Sequence, residues 1–203
     1  MQKNKSEPFI KIKKVEVLSD KWRPLRNYTI EYHGRGKEPV DLDREVYSRG
    51  NGVAVLLYDL ERRIFIMTRQ FRLPSYLNGN ESGLLTEVCA GLLDGDEAPE
   101  IAARREVLEE TGYKLDQLQM IASVYMTPGA DTELLYLFLA EVNEGMKIEA
   151  GGGVDAENED IEVLHLDMDR GFHMLERGYI KDAKTMILLQ HFQIKMRMKK
   201  NSK

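Results

Sequence analysis

The stretch GLLDGDEAPEIAARREVLEETGY, Gly91–Tyr113, holds seven carboxylates and two adjacent arginines in 23 residues. Pro99 suits the first turn of a helix, where its missing N–H has no partner to lose, and Gly112 suits the left-handed residue that stops one. A helix over about 98–111 follows. At about 100° per residue, Glu106 and Glu110 lie roughly 40° apart on neighbouring turns, with Glu109 about 60° to the other side of Glu106. The three carboxylates share an arc of about 100°, and Ile101 and Leu108 project from the opposite side, where a sheet could receive them. Taken alone, RREVLEE reads as a solvated helix with i,i+4 pairs such as Arg105–Glu109, each contributing about 0.3 kcal/mol. Yet Glu106 and Glu110 repel each other at that spacing unless a cation sits between them. Clustered carboxylate oxygens suit hard octahedral ions such as Mg2+ or Mn2+, which keep waters and bind through a few carboxylates plus substrate phosphates.

Around this stretch the chain has the composition of a soluble globular protein, 42% hydrophobic and 31% charged over 203 residues, enough for one well-buried domain with room for a small appended unit. No apolar run approaches the roughly 20 residues that cross a bilayer, and MQKNKSEPFIKIKK at the N-terminus lacks the apolar segment of a signal peptide. Cys89 is the only cysteine and sits between Val88 and Ala90. It fits a buried, inert thiol in a reducing cytoplasm. The net charge of −5 supplies no overall field for a nucleic-acid backbone, and the basic tail KMRMKKNSK reads as a solvated terminus. Neither nucleic acid nor membrane is an expected partner. An acidic protein that handles phosphates needs a cation at its site. The histidines (His33, His165, His173, His191) show no spacing that suggests zinc or a catalytic triad, and no P-loop appears.

The first fifty residues read as strands, with Leu25–Tyr32 alternating before the turn HGRGKE. Val53–Tyr58 is a buried strand, RRIFIMTRQF another, LNGNESG a loop and LLTEVCAG a short strand leading into the opening stretch. LQMIASVYMT and ELLYLFLAEV form a strand pair joined by PGADT. EAGGGVDAENED is a glycine-rich acidic loop and IEVLHLD a strand. Helices follow around Arg170–Arg177 and Lys184–Met198, the second with Met186, Leu189 and Phe192 on a helical period. This order implies a mixed sheet flanked by helices, in the α/β or α+β class.

The opening stretch resembles the Nudix box, G-x5-E-x7-R-E-U-x-E-E-x-G-U with U apolar. Gly91, Glu97, Arg105, Glu106, Val107, Glu109, Glu110 and Gly112 stand where the pattern requires them, and only Tyr113 departs, at the last apolar position. The resemblance implies an α/β/α sandwich with a mixed central sheet over residues 49–203, preceded by an antiparallel β unit over residues 1–48 used in dimerisation. It also implies hydrolysis of a nucleoside diphosphate linked to another group, with Mg2+ as cofactor and Mn2+ as a substitute. Glu106 and Glu110 would be the main metal ligands, Glu109 would assist, and the Ala90 carbonyl would add a further oxygen. Arg105 would hold a box carboxylate in place, and Glu97 would support the loop.

The flanks resemble the GDP-mannose pyrophosphatase type through REVYSRGNG, RQFR, NGNESG, CAGLLD, YMTPGADTE, AGGGVDAENEDIEVL and DAKT. By position, Glu159 would complete the metal site, Asn158 would touch substrate, and Glu157 or Glu159 would take the proton of the attacking water. A solvated acidic loop is the other reading of those residues. Gly151–Gly153 would let the loop close and open over substrate, or serve as a plain connector. Arg72 would clamp phosphate oxygens, and Glu133 and Lys184 match substrate-contacting positions. Trp22 stands where the family places a ring that stacks on guanine, more often tyrosine. Asp43, Arg44 and Glu45 match a segment that reaches the partner subunit's site, although the family has a basic residue where Asp43 stands. That reach implies a homodimer with exchanged N-terminal strands, acting in the cytoplasm on a nucleotide sugar. GDP-mannose is the expected substrate and ADP-ribose the alternative. A nucleotide-sensing regulator that binds without cleaving is disfavoured by the intact acids.

Overall fold

The run Gly52–Asp59 (β4) has every residue buried, and the larger unit of the molecule is built around it. The computed structural model describes residues 9–154 and 159–201. The chain falls into two units: Met1–Gly50 with Thr127–Glu133, and Asn51–Met126 with Leu134–Lys203.

The first unit is a three-stranded antiparallel sheet of Phe9–Ser19 (β1), Leu25–His33 (β2) and Val40–Tyr47 (β3), in the order β1-β2-β3. The turn HGRGKE joins β2 to β3 in a register that sets Thr29 opposite Asp43 and Ile30 opposite Leu42. β1 pairs along β2 with shifts between Ile12 and Lys14 and between Val17 and Ser19. Such bulges twist and bend a strand. The 127–133 segment joins this unit through the Tyr47 amide, which donates to the Ala130 carbonyl at 2.8 Å.

The second unit holds Ile64–Phe71 (β5), a single helical turn Leu73–Leu77 (α1), Leu84–Glu87 (β6), Cys89–Leu92 (β7) and helix Pro99–Thr111 (α2). Gln119–Tyr125 (β8), Leu134–Glu141 (β9), Glu162–Asp167 (β10), Met168–Glu176 (α3) and Ala183–Asn201 (α4) complete it. Its sheet runs β10-β5-β4-β9-β8, with β6 beside β5 and β7 beside β4. β4 and β9 are parallel, and every other pairing is antiparallel. A mixed sheet is the outcome that the sequence implied. Because strand side chains alternate, β4 feeds both cores. Ala54, Leu56 and Tyr58 pack with Leu188, Leu189 and Phe192 of α4. Val53, Val55 and Leu57 pack with Ala102, Ala103 and Val107 of α2. Each fully buried aliphatic side chain contributes about 1.5–3 kcal/mol, so this one strand secures helices on both faces. Among the described residues no helix is long and apolar enough to cross a membrane.

Candidate active site

Two i,i+4 rows of α2 face inward, Ala102–Glu106–Glu110 and Ala103–Val107–Thr111, and all six residues are buried. Helical periodicity alone points the carboxylates away from an apolar stripe made by Ile101 and Leu108. Instead Ile101 is 59% exposed, while Glu106 and Glu110 are 8% and 1% exposed. The reason is size. Alanines on the packing side let the helix backbone come close to β4 and β7, a fit that the larger isoleucine would hinder. The carboxylates on the same rows are carried in against β7.

Gly91 of β7 makes room for them. A Cβ built there would lie 1.9 Å from the carboxylate carbon of Glu106, so the box glycine is a steric necessity of the acid beside it. The neighbouring Ala90 N–H donates to Glu110 Oε2 at 3.2 Å, and the buried Cys89 thiol lies close enough to the same carboxylate to influence its titration. Arg105 gathers the rest: Nη1 donates to Glu106 Oε1 at 2.8 Å and Glu109 Oε2 at 3.2 Å, and Nη2 to Glu97 Oε2 and the Leu92 carbonyl, both at 3.0 Å. Glu97 in turn accepts from the Asp94 N–H and closes the loop before the helix.

Burial pushes the Glu110 carboxyl up to about 8; the Cys89 thiol and the Ala90 hydrogen bond pull against it, and the charges of Glu106 and Glu159 add to it. Glu106 rises to about 7 by burial first, with Arg105 opposing and Glu109 and Glu159 adding. Glu159 thus stands close enough to both acids for its charge to be felt. Arg105 is also raised above its ordinary value, which for a base holds it cationic, chiefly through its bond to Glu97. A carboxylate as buried as Glu110, with no cationic partner among the described residues, lacks the positive charge that would favour its ionised form. A divalent cation supplies that charge, so the donor set fits one. Among the described residues no three acidic, histidine or cysteine side chains already form a closed ligand cage. Mg2+-type ions need none, since they take one or two carboxylates together with waters and phosphates.

The glycine run after β9 has a use that neither sequence reading anticipated. The Gly152 N–H donates to the Glu110 carbonyl at 2.8 Å and the Gly153 N–H to the Glu109 carbonyl at 3.1 Å, capping the end of α2. Gly151–Gly153 all have positive φ, and a Cβ on Gly151 would lie 2.5 Å from the Thr111 carbonyl carbon. The seam holds Glu159 near the box acids: its Oε2 accepts from the Val154 N–H at 3.2 Å. Glu157 and Asn158 lie outside the described residues.

A second charged group surrounds Glu87, which the sequence analysis did not single out. Glu87 is 3% exposed. Its Oε2 accepts from Arg72 Nε at 2.8 Å, and its Oε1 accepts from Lys184 Nζ at 3.0 Å. The signal was available. In LLTEVCAG, Leu85, Glu87 and Cys89 share the inward side of a strand alternation, and an acid there requires partners. Thr185 was missed too. Its hydroxyl donates to Asp182 and accepts from the Val88 N–H at 2.8 Å. Val88 is the residue between β6 and β7, where the chain leaves β5 for β4.

The other candidates belong to the first unit. Trp22, 72% exposed, is tilted against Tyr47 with ring centroids 6.4 Å apart. Asp43 accepts from the Thr29 hydroxyl at 2.6 Å, and this bond first, with Asn27, holds its carboxyl below the usual range. Arg44 Nη1 donates to the Asp43 carbonyl, and Glu45 is exposed on β3 opposite Asn27. The Glu133 carboxylate lies 3.3 Å from Arg49 Nε.

Residues 48–185 match the NUDIX domain family, and residues 9–47 match the family described as the GDP-mannose pyrophosphatase NudK N-terminal domain. A protein named GDP-mannose pyrophosphatase from Escherichia coli O157:H7 is 44% identical over 181 residues, 89% of this chain and 93% of its own length. One of the same name from Enterobacter sp. strain 638 is 44% identical over 91% of this chain and 95% of its own length. A third, from Cronobacter sakazakii, is 44% identical over 92% and 96%. Its matched domain, its buried box acids and these relatives together show that the chain belongs to the Nudix family and is a Nudix hydrolase.

Proposed function

We propose that this protein hydrolyses GDP-mannose to GMP and mannose 1-phosphate, using Mg2+ or, in its place, Mn2+. The observation that carries the reaction class is Glu110, buried beside Glu106 with no cationic partner among the described residues. The substrate rests on the name that relatives 44% identical over most of the chain share. Glu106 and Glu110, with Glu109, Glu159 and the Ala90 carbonyl, would hold the ion, which neutralises the diphosphate and makes a bound water more acidic. Arg72 presents its remaining N–H donors to phosphate oxygens as a planar fork. Lys184 adds a point charge beside it. Glu159, or Glu157 two residues earlier, takes the proton from water as its oxygen bonds to phosphorus and the bridging P–O bond breaks. Arg105 keeps Glu106 and Glu109 aimed.

In the same proposal Trp22 stacks on guanine, Glu133 and Asn158 touch substrate, and Asp43, Arg44 and Glu45 reach the site of a second subunit. The active form is then a homodimer with exchanged N-terminal β units over residues 1–48. A single buried thiol, Cys89, fits a cytoplasmic setting. The test compares GDP-mannose with ADP-ribose in Mg2+ and in EDTA, measuring kcat/KM and products. Metal-dependent preference for GDP-mannose with release of GMP supports the proposal. Preference for ADP-ribose replaces the substrate, and cleavage of neither removes the catalytic reading. Sedimentation of the intact chain as a monomer would overturn the dimer.

A further inference from the structure

Arg72 and Lys184 come from distant parts of the chain and converge on one carboxylate. Arg72 directs both Nε and Nη2 to Glu87 Oε2, each at 2.8 Å. Lys184 Nζ meets Glu87 Oε1 at 3.0 Å and Asp182 Oδ1 at 2.9 Å. Two cations drawn to one carboxylate repel each other, and in a poorly hydrated place that repulsion is large. Glu87 removes it, and Asp182 balances the second positive charge. The group is therefore neutral, and its inner side is closed, with Glu87 and Asp182 side chains only 4% and 13% exposed. The open side belongs to Arg72, since Lys184 is only 13% exposed. Arg72 remains 39% exposed, and its guanidinium has five N–H donors, of which two are used on Glu87. Lys184 has three donors and two acidic partners.

The backbone that carries Glu87 is itself anchored. Thr68 Oγ1 lies 3.3 Å from the Glu87 carbonyl as a donor, and Thr68 and Glu87 are register partners across β5 and β6. The next residue, Val88, is bound to Thr185, which follows Lys184 directly. Glu87 and Ala90 are three residues apart, about 10 Å at full extension. Only Val88 separates the strand that ends at Glu87 from the strand that carries Ala90, so the two-cation group and the amide that binds Glu110 are carried by consecutive strands.

We infer that Glu87 is a positioning residue that never touches substrate: it holds Arg72 and Lys184 side by side as one clamp for two oxygens of a diphosphate. The inference rests on the diphosphate-hydrolase reading above and deepens it. The clamp works by aim rather than by net charge, since the carboxylate that creates it cancels part of its own attraction for anions.

Glu87→Asp tests aim at constant charge, because the shorter side chain cannot span both cations. With GDP-mannose as substrate, KM should rise about tenfold while kcat stays within about threefold of wild type, the split expected when ground-state and transition-state binding are lost together. In an Arg72→Gln background the same change should cost less than about twofold, because residues acting as one unit are not additive. Glu87→Gln, which keeps the shape and removes the charge, should show the same KM rise and the same dependence on Arg72. Binding of inorganic pyrophosphate, followed by calorimetry, should weaken about tenfold in Glu87→Asp alongside KM. Unchanged KM and pyrophosphate affinity in a folded Glu87→Asp protein would overturn the inference, as would full additivity with Arg72→Gln. If wild type leaves GDP-mannose intact, the substrate reading fails, and pyrophosphate binding still decides the role of Glu87.

Discussion

Replacing Gly91 with alanine puts a methyl group where the Glu106 carboxylate now lies, 1.9 Å from its carbon. The displaced atoms are the far end of a flexible side chain, so the strand survives and the acid moves. Gly91→Ala should lower kcat/KM by about a hundredfold, the scale of a one-ångström misplacement, and shift the melting temperature by only a few degrees. Loss of folding would show that the clash reaches the backbone instead. Glu110→Gln acts on charge. It should lower turnover by roughly two orders of magnitude or more, since a cation held by Glu110 neutralises the reacting diphosphate. In EDTA near pH 8.5 the variant should melt no lower than wild type, because it no longer buries an ionised carboxylate without a cation. Near-normal turnover would remove Glu110 from the metal site. Both residues were legible in the sequence as parts of a pattern. What their environment does to them was not, because burial depends on what β7 places over the helix.

At the scale of elements, α2 was readable in its limits, Pro99 opening it and Gly112 closing it with φ of 78°. Its buried face was not. Large aliphatics dominate a sequence-based choice of face, whereas close helix–sheet approach selects the small residues Ala102 and Ala103. The glycine run was likewise readable as special, yet only the fold shows that it caps α2 at Glu109 and Glu110. The start of α4 carries a measurable linkage to the strand break at Val88. Thr185→Val keeps the shape of the side chain and leaves the buried Val88 N–H without its acceptor. The expected cost is about 1–3 kcal/mol, or a melting temperature lower by roughly 2–12 °C for a chain of this size. An unchanged melting curve would mean that Val88 finds another acceptor.

The whole molecule responds to pH through the box acids. Folded values near 7 for Glu106 and 8 for Glu110 lie above the ordinary 4.5, so the native state binds more protons than the unfolded chain between those values. Their contribution to stability is therefore complete below about 4.5 and is lost as pH rises through about 7 and then 8. His165 acts in the opposite sense, its value lowered from 6.5 by burial, and its effect is complete by about pH 6.5. Between about pH 6.5 and 8.5 the metal-free protein should lose on the order of 1–3 kcal/mol. Added Mg2+ should flatten that decline, because the ion binds the deprotonated acids and releases their protons. Thermal melts across this window, with EDTA and with Mg2+, check both halves. A metal-free profile that is flat or rising would contradict the assigned burial of Glu106 and Glu110.

Local chemistry and periodicity determined much by themselves: the caps of α2, the buried run of β4, the shared arc of Glu106, Glu109 and Glu110, and the pattern that marks a Nudix hydrolase. These depend on spacing along one chain segment, and spacing is written in the sequence. Tertiary structure decided which side of α2 is buried, why Gly91 admits no side chain, and that Gly151–Gly153 cap a helix. It also decided that Arg72, Glu87 and Lys184 meet. Lys184 lies 97 residues from Glu87, and no periodic rule connects positions so far apart. Only the sheet order and the packing of α4 against it bring their charges within hydrogen-bond distance, where neutralising each other lowers the cost of leaving water.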